Sequence, residues 1–342
     1  MHMADALISP AVGAAMGAAT MGLIVFSARK VKQEADDRKI PLMGVLGAFI
    51  FAAQMINFSI PATGSSGHLG GGMILAILLG PCAAFLVMAS VLVVQALFFA
   101  DGGLLALGSN IFNLGFFPCF VAYPLVYRKI AGGTPTQGKI LAGSVIASVI
   151  ALQLGAFGVV LETVFSGLSE LPFRVFVLMM QPIHLAIGVV EGLVTAAVVT
   201  FVWKARPELV SSPQQAASPG KVEMKNIFAG FIVAAAVVGG VLSWFASNNP
   251  DGLEWAIFKT LGKERFVNNN AIHSSLSGVQ EKTAFLPDYG FKKKDVPAEP
   301  EAAPQASWPA VDPGTSVSGL AGGGLTLLLV VLAGLALRRR KR

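Results

Sequence analysis

The chain is dominated by long uncharged apolar runs. Residues 6–28, 42–60, 104–126, 140–161, 173–203, 227–245 and 320–337 each approach or exceed the roughly 20 residues that a helix needs to cross a bilayer. Only 13% of the residues are charged, against about a quarter in soluble domains, so there is too little charge to clothe a soluble surface. The 38 glycines fit helices that pack closely in lipid. These features predict an all-α, polytopic integral membrane protein. A disulfide scaffold and a Cys-rich metal site are excluded, because Cys82 and Cys119 stand alone within apolar runs. One run, 69–100, is too long for a single helix and carries Gly80-Pro81 at its middle, so it reads as two elements meeting there.

The basic residues test that division. They cluster after the first run (Arg29, Lys30, Lys32, Arg38, Lys39), around Arg128, Lys129 and Lys139, around Lys204, Arg206, Lys221 and Lys225, and from Arg338 to Arg342. All four clusters fall on one side only if 69–100 crosses twice. Nine spans then follow, seven in a core and two behind it, with the amino terminus outside and the carboxyl terminus in the cytoplasm. The net charge of +6 thus reports multi-pass orientation in the cell membrane, amid lipid, and not nucleic acid. The third element, 69–80, covers only about 18 Å. The loop before it, 61–68, must therefore dip to a depth where non-helical backbone survives only when buried in protein or lining a cavity. The first run is followed by its basic residues rather than preceded by them, unlike a signal peptide, so Met1 is expected to stay on the mature chain. Three parts result: a membrane core at 1–203, a cytoplasmic linker at 204–225 rich in Ser, Pro, Gln and Ala, and a two-span module at 226–342 with an outer loop at 247–319.

Four histidines are the scarce chemical resource. At Met1-His2-Met3, a free α-amine, the next backbone nitrogen and the His2 imidazole can close fused chelate rings around one metal. A fourth nitrogen completes the square-planar geometry that suits Ni(II) or Cu(II). His68 is the natural donor, in a Gly-rich loop from Thr63 to Gly72 placed on the same side as the amino terminus. Losing an amide proton makes such a site pH-sensitive. The plain alternative is a chance His2 and an ordinary flexible loop. Asp5, Gln54, Asn57, Ser65, Ser66, Asn110 and Asn113, with Asp101 in Asp101-Gly-Gly103, are candidates to hydrogen-bond the metal ligands. Polar contacts between helices explain them equally well. His184 and Glu191 lie seven apart on one helix face and read as a structural contact. A rival class makes them the catalytic pair of an intramembrane enzyme, for which no nucleophile or paired acid is at hand. An autonomous secondary transporter is a second rival, but only one helix break, at Gly80-Pro81, supports it. His273 reads as solvated loop surface. The stretch from Gly133 to Ile140 nearly matches a phosphate-binding loop, but it has Ile140 in place of Ser or Thr and no preceding strand.

Several of these segments are specific together. The start from Met1 to Pro10, the loop around His68, Leu79-Gly80-Pro81, the run from Asp101 to Asn113, and His184 with Glu191-Gly192 resemble the NikM/CbiM family. Members of that family are substrate-capture components of energy-coupling-factor transporters for nickel and cobalt. The resemblance covers about 1–203. It implies a seven-helix core whose extra helix puts the amino terminus in the ligand pocket, and Ni2+ or Co2+ held by nitrogens of Met1, His2 and the loop histidine, here His68. The tail, with Asn249-Pro250-Asp251-Gly252-Leu253-Glu254 and Leu286-Pro287-Asp288-Tyr289, resembles the small NikN/CbiN-type partner in its PDGLE form. In such systems the partner assists metal loading; no tail residue is an obvious ligand. The resemblance also implies a transmembrane coupling subunit and cytoplasmic ATPase subunits, so the chain itself is expected not to be an enzyme. A planar four-nitrogen site favours nickel, and a cobalt role would connect to cobalamin synthesis.

Overall fold

The computed structural model describes residues 2–34, 39–168, 171–210, 222–262, 270–292 and 308–338. Met1, Arg38, the middle of the linker and residues 339–342 lie outside them, as does most of the Pro/Ala-rich stretch of the outer loop. The chain is a polytopic helical membrane protein. The helices in order are α1 (Pro10–Glu34), α2 (Lys39–Gln54), α3 (Gly72–Leu79), α4 (Pro81–Phe98), α5 (Leu107–Ala131), α6 (Gln137–Ser166), α7 (Phe173–Ala205), α8 (Met224–Gly240), α9 (Gly252–Leu261), α10 (Ala271–Thr283) and α11 (Pro313–Leu337). Among the described residues, α1, α4, α5, α6, α7 and α11 are long and apolar enough to cross a bilayer. The helices α2 and α8, of 16 and 17 residues, are apolar but shorter, and α3 has 8.

The break expected at Gly80-Pro81 is where α3 hands over to α4. Gly80 sits at φ 81, a conformation side chains resist, and Pro81 opens α4 where its missing N–H costs nothing. The second apolar run ends sooner than its composition suggests. Helix α2 stops at Gln54, and Phe58–Ile60 leaves the helix as strand β1. Strand β2 (Ser65–Gly67) pairs with it antiparallel, setting Phe58 opposite Gly67 and Ile60 opposite Ser65. The loop ahead of α3 is therefore built on a two-stranded ribbon.

Helix α2 is buried on every face from Leu42 to Gln54, as expected for a helix apolar all round at the centre of a bundle. Tail helix α11 lies against it: an added methyl at Gly322 would sit 2.0 Å from the Phe51 ring. One at Gly319 would sit 2.3 Å from the Gly239 carbonyl of α8. The two tail helices thus meet each other through glycines, and α8 in turn meets the core through Gly239, where an added methyl would lie 3.3 Å from Ala52 Cβ of α2. Helices α6 and α7 form a hairpin in which Gly188 and Gly192 face the Cα atoms of Val149 and Val145, and Gln153 and Gln181 exchange side-chain bonds to each other's carbonyls. In α5 the backbone winds wide over Phe112–Tyr127, which carries Pro118 and Pro124; each proline removes a helical N–H. The phosphate-loop look-alike is a helix start, with Thr136 capping Lys139 N.

Candidate metal centre

The chain from His2 to Ile8 is threaded into the core ahead of α1, and three contacts fix its register. Asn110 accepts from Met3 N (2.8 Å) and donates to Met3 O (3.2 Å). Gly103 N also donates to Met3 O (2.9 Å). Asp5 Oδ1 accepts from Leu105 N (2.7 Å) and Ala106 N (3.0 Å), the free amides just ahead of α5. The Met3 side chain is fully buried. Glycine is required at position 103, because a Cβ there would meet Asp5 Oδ1 at 1.9 Å.

The His68 loop meets that segment from the other side. The rings of His2 and His68 are parallel within 3°, with centroids 4.9 Å apart. His68 Nδ1 lies 3.0 Å from Leu69 O, which favours the tautomer that donates there and leaves Nε2 for a ligand. His2 Nδ1 lies 3.2 Å from Asp101 Oδ1. His2 Nε2 is buried and has no hydrogen-bond partner among the described residues. Burial holds both imidazoles low, His2 at about 3 and His68 at about 4. Both are therefore neutral at pH 7, the form that donates a lone pair. Met1 lies outside the described residues.

Behind His68 the loop backbone is gripped from two sides. Glu191 accepts from Gly70 N (2.7 Å) and Gly71 N (3.2 Å), and Gln54 Nε2 donates to Gly70 O (2.7 Å). Gln95 donates to Gln54 Oε1 and accepts, through its backbone carbonyl, from Asp101 N. Glu191 is thus a loop clamp, while His184 turns its Nδ1 to Met180 O on its own helix. The two side chains serve different partners, as a structural reading of that face requires. Removing the Glu191 carboxylate would orphan two buried amides, which costs about 1–3 kcal/mol. Glu191→Ala is therefore expected to lower the unfolding midpoint in detergent and to weaken metal binding about 10–100-fold. Thermal unfolding and equilibrium dialysis against Ni2+ check both.

The remaining candidates separate. Ser66 Oγ donates to Asn249 O and its N–H to Pro250 O, tying β2 to the tail. Ser65 pairs with Thr63 within the ribbon. Asn57 accepts from Ser247 N through its carbonyl, and it lines the same cavity as His2 and His68. Asn113 does not reach the loop: it donates to Glu162 Oε2 of α6, a buried pair away from the histidines. His273 is not surface. It is 5% exposed, and its Nε2 lies 3.0 Å from both Asp5 O and Ile8 O. The segment between α8 and α11 folds back over the amino-terminal segment, and α10 carries this histidine into it.

A cavity of about 590 Å3 opens above the two histidines. Its walls combine core and tail: Asp101 from the core, and Asp251, Asp288 and Tyr289 from the tail. Asp251 caps α9 in a reciprocal box with Glu254. Trp255 Nε1 donates to Thr63 O in the turn of the ribbon. Tyr289 OH donates to Asp101 Oδ2 (2.5 Å). Burial pushes the Asp101 carboxyl up and the Tyr289 phenol well up, so the phenol keeps its proton and is the donor. Asp101 was a candidate from the sequence; Gln95, Asp251 and Tyr289 were not separable from other polar residues by spacing, and only the fold joins them to it.

Comparison with known proteins agrees with this architecture. The family described as "Cobalt uptake substrate-specific transmembrane region" matches residues 2–209, and the PDGLE domain matches residues 225–339. A putative fused nickel transport protein of Archaeoglobus fulgidus is 30% identical over all of this chain and 99% of its own length. A fused nickel transport protein of Rhodobacter capsulatus is 32% identical over 86% of this chain and 85% of its own. A solved structure of a truncated transition metal transporter superposes with a TM-score of 0.52 at 32% identity, covering 59% of this chain and 98% of that one. The chain therefore belongs to the CbiM/NikM family of nickel and cobalt transport membrane proteins, which are not enzymes, and carries a PDGLE module behind its family core.

Proposed function

We propose that the chain is the ion-capturing membrane subunit of an energy-coupling-factor importer for Ni2+, with Co2+ as the second substrate. The parallel pair of neutral His2 and His68 rings at the floor of the outer cavity carries this reading. The Met1 amine, the backbone nitrogen of His2 and its imidazole supply three nitrogens, and His68 supplies the fourth. Four nitrogens in one plane favour Ni2+. The amino terminus lies outside and the carboxyl terminus in the cytoplasm, consistent with the basic loops. Residues 1–203 act as the capture core, 204–225 as a cytoplasmic linker, and 226–342 as the module that covers the site from outside.

Among the described residues there is no phosphate-binding loop, so inward movement needs ATP hydrolysis elsewhere. A coupling subunit and cytoplasmic ATPase subunits supply it and reorient the loaded core. The test is the metal content of the chain purified without partners. One Ni2+ per chain is expected, with competition titration showing tighter binding of Ni2+ than of Co2+. A chain that retains neither ion would sink the capture reading.

A further inference from the structure

We propose that Tyr289, in the tail module, is the residue that sets the metal preference of the site, by holding the Asp101 carboxylate out of the coordination sphere. This rests on His2 being a ligand. The two oxygens of Asp101 have different partners. Oδ2 accepts from Tyr289 OH, and Oδ1 lies 3.2 Å from His2 Nδ1. Nδ1 is the imidazole atom that closes a six-membered chelate ring with the His2 backbone nitrogen; Nε2 points away from that ring. An ion bound at Nδ1 therefore sits beside the carboxylate.

The surrounding backbone is built to fix this contact. Ala100 at φ 54 and Gly102 at φ 81 turn the chain sharply on either side of Asp101. Asp288 at φ 51 and Tyr289 at φ 59 place two successive non-glycine residues in the left-handed region, which persists only where the surroundings over-determine it. The Tyr289 ring stacks on Phe99 (5.2 Å between centroids, 19° between planes) and meets the edge of Phe51. Asp288 N donates to Phe99 O, and Gln280 Nε2 donates to Gly102 O. The phenol is therefore delivered to Asp101 by a rigid frame from the tail.

With Oδ2 held, the carboxylate neutralises charge at the cation's flank without binding it, and the site stays a planar set of four nitrogens. Released, it becomes a fifth, oxygen donor. An added hard oxygen ligand favours higher coordination, which Ni(II) adopts only by giving up its planar form and which Co(II) accepts readily.

The experiment compares Ni2+ complexes of the full chain by magnetic susceptibility and visible absorption, together with Ni2+/Co2+ competition. The unaltered chain is expected to give a diamagnetic planar complex. Tyr289→Phe is expected to give a paramagnetic complex and to narrow the Ni2+ preference by about tenfold. Adding Asp101→Asn to Tyr289→Phe should restore the planar signature, which a merely structural role for Tyr289 would not do. Asp101→Glu, whose longer arm reaches the ion past an intact Tyr289, should also turn paramagnetic, and it decides the question if Tyr289→Phe fails to fold. A planar complex with unchanged preference in the folded single variants overturns the proposal, as does a paramagnetic signal that persists with Asp101→Asn. Failure of the underlying reading looks different: His2→Ala would then bind Ni2+ as the unaltered chain does.

Discussion

Replacing His68 or His2 by alanine is expected to lower Ni2+ affinity by more than about a hundredfold while the chain still folds and inserts. The magnitude follows from what each ring contributes. Partners that only hydrogen-bond a ligand are worth about 10–100-fold, so loss of a ligand itself must exceed that. The fold should tolerate either change, because neither ring carries the packing. The His68 loop is held by Glu191, Gln54 and the β1–β2 pairing. The His2 segment is held from Met3 onward by Asn110, Gly103 and His273. Removing a buried imidazole with one polar partner, Leu69 O for His68 and the Asp101 carboxylate for His2, costs about 1–3 kcal/mol. Equilibrium Ni2+ binding alongside a detergent unfolding curve separates the two effects. A His68→Ala chain that binds as tightly as its parent would remove the loop histidine from the site.

Much of the fold was legible because lipid leaves few choices. Uncharged runs must be helices where they meet hydrocarbon, and Gly80-Pro81 can only be a break. What escaped was local. Phe58–Ile60 follows the apolar run of α2 with only Gln54 and Asn57 as polar breaks before it, so hydropathy alone does not mark where the helix gives way to a strand. In hindsight Asn57 and Pro61 bracket that strand, and Thr63-Gly64 supplies its turn. The ligand candidates were legible for a different reason. Ionisable groups are expensive in such a chain, so a histidine at position 2 and another in a glycine loop draw notice. The surroundings of the site were not legible, because they come from far along the chain. His273, Gln280 and Tyr289 reach back from the outer loop to Asp5, Gly102 and Asp101. No spacing rule links positions that far apart. Asn113 shows the converse error: helical spacing puts it beside Asn110, yet three residues of rotation turn it from Met3 to Glu162.

Extending the chain by about ten residues ahead of Met1, enough to carry the amine out of reach, is expected to be as damaging as losing a histidine, although every side chain remains. The argument is one of register. Downstream of His2 the segment cannot slide: Met3 is bonded on both backbone groups, Asp5 caps the start of α5, and His273 holds the carbonyls of Asp5 and Ile8. An extension at the front therefore leaves His2 in place and carries the amine away by about 3.8 Å for each residue added. The nitrogen left at Met1 is then an amide, which must lose a proton before it can bind, and the five-membered ring to the His2 nitrogen loses its primary amine. Ni2+ affinity at neutral pH should fall more than about a hundredfold. The unfolding midpoint should hardly move, because the clamps at Met3 and Asp5 are untouched. The decisive comparison is between two additions: an amino-terminal extension that a protease removes to restore Met1, and the same extension left uncleaved. Binding that returns only on cleavage assigns the amine to the site; equal binding before and after would leave the metal to His2 and His68 without it.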